Sequence, residues 1–296
     1  MEHTIKLIQA PDDNWIKQLS EHRKYCEEKH ITKVFIDLDG LTFLSPQKVV
    51  SLACLVELYS LNKKKINFSR GTYDLNRYLN NIKFCDYWAE GFNRDEFTQL
   101  TTDTTFSLWH VKKTMIDSYA NEAHKYFQNA YFQGKNLESL HIALTEVFNN
   151  IFDHADSKVH GYVLTQCFPK IEKIAISVCD FGVGIAEKIN QLWSDSGRER
   201  MSDSDALRAA LFRRITSQST PQNRGFGLAN LYDIVRNLKG SIEIRSNKGV
   251  LGINVDGTIK SYLSNHFFRG TLIIITLEKR YLPDIEEIIA DEEFNF

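Results

Sequence analysis

Leu137-Glu-Ser-Leu140-His-Ile-Ala-Leu144-Thr-Glu146-Val147-Phe-Asn-Asn150-Ile151-Phe-Asp153-His154 is the stretch whose reading decides the fold. At 3.6 residues per turn, Leu140, Leu144, Val147 and Ile151 form one apolar stripe, while Glu146, Asn150 and Asp153 share another face. The spacing predicts a helix from Leu137 to about His154 that buries one side and aims a carboxylate and a carboxamide together from the other.

That pair suits the hydrolysis of a magnesium nucleotide. A carboxamide oxygen is a hard ligand for Mg²⁺, and a carboxylate can orient or deprotonate an attacking water. Taken alone, the same residues read equally as the solvated face of a surface helix. A second cluster, Asp180-Phe-Gly182-Val-Gly184-Ile185, follows an apolar strand. Its glycines allow a sharp turn and close approach to a ligand, and its carboxylate can accept from an exocyclic amine such as that of adenine. Alone it reads as an ordinary glycine-rich turn. A third, Arg224-Gly225-Phe226-Gly227-Leu228, opens a helix whose free N–H groups suit phosphate oxygens. Alone it reads as a hinge.

Around these clusters the pattern predicts a helix near Met115 to Gln133, broken at Gly134. Strands follow over Gly161 to Phe168 and Ile171 to Cys179, joined by a tight Pro169-Lys170 turn. Gly182 to Arg224 is mostly polar, with a capped helix at Asp203 to Ile215, the pattern of a mobile lid spanning about 186–224. A helix over Gly227 to Leu238, a strand over Ser241 to Arg245, a polar insertion from Asn247 to Arg269 and a strand over Thr271 to Leu277 complete this part. The acidic segment from Pro283 to Glu293 has isoleucines at helical spacing and suits either a partner-binding helix or a solvated end.

Upstream, Lys33 to Leu38 reads as a strand. Gln47 to Leu61 reads as a helix through Val50, Leu52, Leu55 and Leu61, Lys65 to Phe68 as a strand, and a helix runs through Leu75, Leu79 and Ile82. The pattern lapses between Asn93 and Thr105, so the expected division is an α/β domain at 1–104 and a second α/β domain at 105–296. Apolar residues make up 43% and charged residues 25% of the 296, which fits a folded chain and excludes a disordered or fibrous one. A net charge of −2 gives no basic field for nucleic acid or an anionic membrane, so neither partner is expected. Cys26, Cys54, Cys85, Cys167 and Cys179 have no CxxC spacing and are expected as buried reduced thiols. With neither a signal-peptide pattern nor an apolar run near the roughly 20 residues of a membrane span, the expected location is cytoplasmic.

The succession is more specific than its parts. An E-x-x-x-N-x-x-x-H helix, a DxGxG turn after a strand, a long lid, a GxG helix start and a late Gly-Thr before a strand resemble the N, G1, G2 and G3 boxes of the GHKL superfamily. That superfamily contains gyrase, Hsp90, MutL and the sensor histidine kinases, with the anti-sigma serine kinases as close relatives. The resemblance runs from about Tyr119 to Lys279 and implies a Bergerat-type α/β sandwich that binds ATP with Mg²⁺. It makes Glu146 the catalytic base and Asn150 the Mg²⁺ and nucleotide ligand. Asp180 would meet the adenine amine, with Gly182, Gly184 and Ile185 shaping that wall. Gly225, Phe226, Gly227 and Leu228 would cradle phosphates, and Thr271 would support the adenine side. His154 stands where many anti-sigma kinases have histidine, or simply closes the helix.

Gyrase, Hsp90 and MutL place a transducer domain after the nucleotide domain, and so little chain follows the last strand here that an ATP-gated clamp is not expected. His124-Lys-Tyr-Phe lacks the H-E/D-x-x-T/P setting of a phosphoacceptor histidine. The N-terminal stretch Val34-Phe-Ile-Asp-Leu-Asp-Gly-Leu-Thr-Phe-Leu-Ser45 resembles a STAS domain, the fold of anti-sigma-factor antagonists. It departs from that pattern at the phosphoacceptor, which falls on Pro46. The implied protein is an ATP-binding regulator that hydrolyses ATP or transfers its phosphate, coupled to a partner through the STAS-like part. That partner is another STAS or regulatory protein, or a second copy forming a homodimer. The alternatives are an anti-sigma-like serine/threonine kinase and a non-enzymatic ATP-dependent interaction module of a bacterial signalling or defence system.

Overall fold

The computed structural model describes residues 1–93, 104–112, 115–154, 159, 161–212 and 227–285, with the side chains of 116, 149–154, 212 and 227 outside that description. Two sheets organise the chain. The first is parallel and three-stranded in the order β1-β2-β3, from β1 (Glu2–Ile8), β2 (Lys33–Gly40) and β3 (Lys65–Phe68). The helices α1 (Asp12–Arg23) and α2 (Pro46–Leu61) make the two crossovers, and α3 (Tyr73–Asn81) follows. Parallel strands need such crossovers because a tight hairpin reverses the chain.

The second sheet is antiparallel throughout, in the order β4-β5-β6-β8-β7. Its strands are β4 (Thr105–His110), β5 (Tyr162–Phe168), β6 (Lys173–Asp180), β7 (Ser241–Ile253) and β8 (Ile259–Glu278). The helices α4 (Ile116–Ala130), α5 (Glu138–His154), α6 (Ile185–Asp195), α7 (Asp203–Phe212) and α8 (Gly227–Asn237) belong to this half. Side chains alternate along each strand. One parity, with Ile174, Ile176 and Val178 on β6 and Ile273 and Ile275 on β8, joins the core shared with Leu140, Leu144 and Val147 of α5 and Leu231 and Val235 of α8. The other parity, with Tyr162, Leu164, Cys179 and Leu272, joins the core of the N-terminal half.

That second face explains α2. Its residues Val49 to Val56 are all buried, so the helix is covered on every side, as a helix clamped between two layers must be. It packs on β5 and β6 while also covering the first sheet. Cys54 Sγ donates to the Cys179 carbonyl at 3.2 Å. The buried Glu57 carboxylate accepts from Tyr162 Oη at 2.9 Å and Trp88 Nε1 at 2.8 Å. A stripe through Val50, Leu52, Leu55 and Leu61 understates this helix, and Leu61 itself is 47% exposed because it lies on the last turn beyond the second sheet.

Other expectations are corrected in detail. β1, α1, β4 and α6 were not anticipated. α6 lies within the polar stretch, and no apolar stripe marks it because only Ala186, Ile189 and Asn190 of its residues are buried. The supposed insertion at 247–269 is the extension of β7 and β8 into a long hairpin, with Ile253 paired to Ile259. Its apolar residues Tyr262, Leu263 and Phe267 are exposed, so no inward-outward alternation marked it. Between β5 and β6 the chain makes a 3₁₀ turn at Pro169–Ile171 with Glu172 left-handed, so β6 begins two residues later than Ile171. Cys85 is half-buried; the other four cysteines are buried and all five are free. No helix among the described residues is long and apolar enough to cross a membrane. The acidic segment is described only to Ile285. Its start is held by Lys135 on Asp284 at 2.8 Å and by the Ile285 amide on the Gly134 carbonyl.

Candidate functional site

Three adjacent strands carry matched apolar rows on the helix-covered face: Ile176, Ile275 and Ile242, then Val178, Ile273 and Ile244. The next row in the same register is Asp180, Thr271 and Ser246. All three are buried polar residues, so the apolar face ends in a polar rim. A buried polar group persists only if hydrogen-bonded. Asp180 Oδ1 accepts from the Gly182 amide at 2.7 Å, and Thr271 also donates to this carboxylate. Ser246 Oγ accepts from the Ala186 amide at 3.3 Å, capping the start of α6.

Burial pushes the Asp180 carboxyl up to about 6, against the pull of the Gly182 and Thr271 donors and the more distant charge of Arg23. The backbone closes tightly around it. At Gly184 (φ 86°) a Cβ would stand 2.5 Å from Ser246 Oγ and 2.8 Å from the Gly270 carbonyl oxygen. At Gly270 (φ 126°) it would overlap the carbonyl oxygen of Asp180 itself. Both φ values lie where side chains are strained, so the wall of this rim requires glycine twice. Asn247, left-handed at φ 56°, donates from Nδ2 to the Val183 carbonyl, and its buried Oδ1 has no partner among the described residues.

A second element of the site joins two helices. The Asn136 side chain accepts from the Glu138 amide at 2.7 Å and starts α5. Leu140, Leu144 and Val147 then bury, which turns Glu146 away from the core to a half-buried position. There its Oε1 accepts from Asn230 Nδ2 at 3.1 Å. Asn230 lies in the first turn of α8, beside the buried Leu228. α8 is described from Gly227 onward. Asn150 lies one turn beyond Glu146 in α5, with its side chain outside the description. Arg224, Gly225 and Phe226 lie outside the described residues, and so do the side chains of Asp153 and His154.

Of the residues singled out from the sequence, Asp180, Gly182, Gly184 and Thr271 are thus brought into one contact set, with Ile185 opening α6 beside it. Glu146 forms a separate contact set with α8. Sequence reasoning missed Ser246 and Asn230, and used Gly270 only as part of the late Gly-Thr pair. Asn230 follows the GxG motif by three residues, one helical turn, and Ser246 follows the Ile242 and Ile244 alternation of β7. Those periodicities were the available signals.

Chemically, a buried carboxylate fixed by two donors at the end of an apolar face accepts from the exocyclic amine of a flat heterocycle. A half-buried carboxylate held by the neighbouring helix α8 suits the orientation of an attacking hydroxyl. Fold and site therefore define a nucleotide-binding class: an antiparallel sheet with α5 and α8 packed on the face that bears Asp180 and a DxGxG turn at the end of an inner strand. Residues 135–280 match the family described as histidine kinase-, DNA gyrase B-, and HSP90-like ATPase. The chain carries a GHKL-type ATP-binding domain over those residues, which implies ATP binding. The match begins at Lys135, yet β4 and α4 lie outside it and still complete the same sheet and core. No curated protein matches the chain.

Proposed function

We propose that the protein is a regulator that binds Mg²⁺-ATP on the helix-covered face of the second sheet, and hydrolyses it or transfers its γ-phosphate. The observation that carries this reading is the Asp180-Thr271-Ser246 row, a polar rim with a buried carboxylate at the end of an apolar sheet face. In this reading Asp180 accepts from the adenine amine, and Thr271 keeps the carboxylate oriented. Gly182, Gly184 and Ile185 form the wall against the base. Gly225, Phe226, Gly227 and Leu228 bind the phosphates at the start of α8.

Glu146 is the general base. It takes the proton of a water or a protein serine as that oxygen bonds the γ-phosphorus, while the bond to the β–γ bridging oxygen breaks and ADP leaves with that electron pair. The Asn230 amide holds one Glu146 oxygen and leaves the other for the acceptor hydroxyl. Among the described residues no cluster of three His, Cys, Asp or Glu offers a metal site. In this reading Mg²⁺ would be held by Asn150 and the phosphates, where it would supply neutralisation of developing phosphate charge.

The N-terminal half, read as a STAS-like module, docks the partner. Its α2 lies against β5 and β6, on the opposite face of the sheet that bears Asp180, so a partner that shifts α2 bears directly on the nucleotide wall. The segment 186–224 acts as the lid; its α7 is tied to β7 by the Lys248 amide on Asp203. Calorimetry of the whole chain with ADP and ATP, with and without Mg²⁺, tests the reading. Micromolar binding that strengthens with the metal is expected, and equal affinity with and without Mg²⁺ removes the metal assignment. Labelled ATP offered with STAS proteins separates hydrolysis, which releases phosphate alone, from transfer to a serine.

A further inference from the structure

Phe181 follows Asp180 and, by strand alternation, points to the opposite face, toward the N-terminal half. On that side the structure has a cleft of about 460 Å³ between α1, the segment after it, and the base of the β7–β8 hairpin. Its size falls within the range of small-molecule sites. Arg23, Lys24 and Arg269 line it together with Glu27, Phe181 and Phe267. Among the described lining residues, three cations thus face one carboxylate.

Among the described residues the cations are also without a carboxylate partner. Arg23 spends its guanidinium on main-chain oxygens, Nη1 on Arg269 at 2.6 Å and Nη2 on Phe181 at 3.3 Å, and lies over the Phe181 ring at 4.2 Å from the centroid. No carboxylate stands within ion-pair distance of Arg23, Lys24 or Arg269 among the described residues. Burial and the neighbouring Arg269 charge press the Arg23 pKa downward, the response of a cation lacking a counter-ion. The half-buried Arg23 guanidinium, without a carboxylate partner among the described residues, is held at a cost that an incoming anion relieves. Phe267, 48% exposed at the rim, adds an apolar face next to the charges.

We propose that this cleft is a second ligand site, on the reverse side of the Asp180 turn, that takes a small organic anion. Its phosphate or carboxylate group lies among Arg23, Lys24 and Arg269, and its apolar part lies against Phe267. Arg23 holds the Phe181 carbonyl, and the next amide, that of Gly182, holds Asp180. One peptide unit therefore links the cleft to the buried carboxylate, which makes the anion an effector of whatever binds on the other face. The site stands on its own lining and does not depend on the nucleotide reading.

Titration calorimetry of the full chain with phenyl phosphate, benzoate and uncharged benzyl alcohol tests it, using the wild type and Arg269→Gln. Arg269 is exposed, so this variant keeps the fold. At least one anion is expected to bind the wild type, with affinity weakened about tenfold in Arg269→Gln and with benzyl alcohol silent. Binding of phenyl phosphate alone assigns a phosphate-bearing ligand, and binding of both anions extends the class to carboxylates. Four results overturn the proposal: neither anion binds, benzyl alcohol binds equally well, Arg269→Gln binds like wild type, or saturating ADP displaces the anion one for one. If ADP does not bind at all, the nucleotide reading fails while the anion result still stands.

Discussion

Thr271 stands directly opposite Asp180 in the β6–β8 ladder and hydrogen-bonds its carboxylate, so the pair closes the apolar face with one fixed acceptor. The two residues are ninety-one positions apart in sequence and meet because β8 returns antiparallel beside β6. This contact underlies the first prediction. Asp180→Asn keeps the shape but presents an amide where an amine donor is expected to dock. ADP affinity should fall about ten- to hundredfold by calorimetry, whereas retained affinity would take Asp180 out of base recognition.

The raised pKa of Asp180 gives a pH signature. An acid whose folded pKa lies above its unfolded value near 4 favours the folded state while protonated, and that contribution is lost as pH rises through about 6. Above pH 6, Asp180 ionisation costs about 3 kcal/mol of stability, a burden that Asp180→Asn lacks. The variant should melt higher than wild type at pH 8, and the gap should close between about pH 6 and 4 in calorimetric scans. ADP affinity should move the other way, weakening as pH falls below 6 and the acceptor oxygen becomes protonated. A gap in melting temperature that stays constant with pH contradicts the assignment.

Glu146→Gln retains an acceptor for Asn230 Nδ2, so the α5–α8 contact survives. Turnover should drop about 10²-fold or more, with ADP affinity unchanged. Phosphate release and calorimetry on the same preparation check both halves. Wild-type turnover in the variant would leave Glu146 a structural link between helices.

Gly270→Ala places a methyl against the Asp180 carbonyl at φ 126°. The expected loss is about 2–4 kcal/mol, measurable in urea, because neither backbone has room to move. Gly252→Ala, where a Cβ meets open space at the far end of the hairpin, should cost much less and serves as the control.

Glu57→Ala removes the carboxylate shared by Trp88 and Tyr162. Leaving those buried donors unsatisfied should cost about 2–3 kcal/mol. Because α2 contributes to both layers, the whole chain should melt as one transition at a lower temperature. Separate melting of the first sheet in differential scanning calorimetry would show that α2 does not couple the halves.

Much of the local structure was legible beforehand. The stripe of α5, the strands β5 and β6 and the capped α7 follow from spacing and turn residues within one short window. Ser202 indeed caps α7, accepting from the Asp205 amide at 3.2 Å. The misses share a cause. In α6 the buried positions are too few to make a stripe, and in the 247–269 hairpin both faces carry exposed apolar residues, so periodicity had no contrast to report.

The sequence by itself determined the element types and the order of the chemical clusters, because a helix stripe and a glycine turn are written in neighbouring residues. Only the tertiary structure decided that Ser246 and Thr271 extend the Asp180 row, that α2 is clamped between two sheets, and that Arg23 reaches behind Phe181. Strand register and layer packing join residues far apart in the chain, and nothing within a local window specifies which distant surface an apolar face will meet.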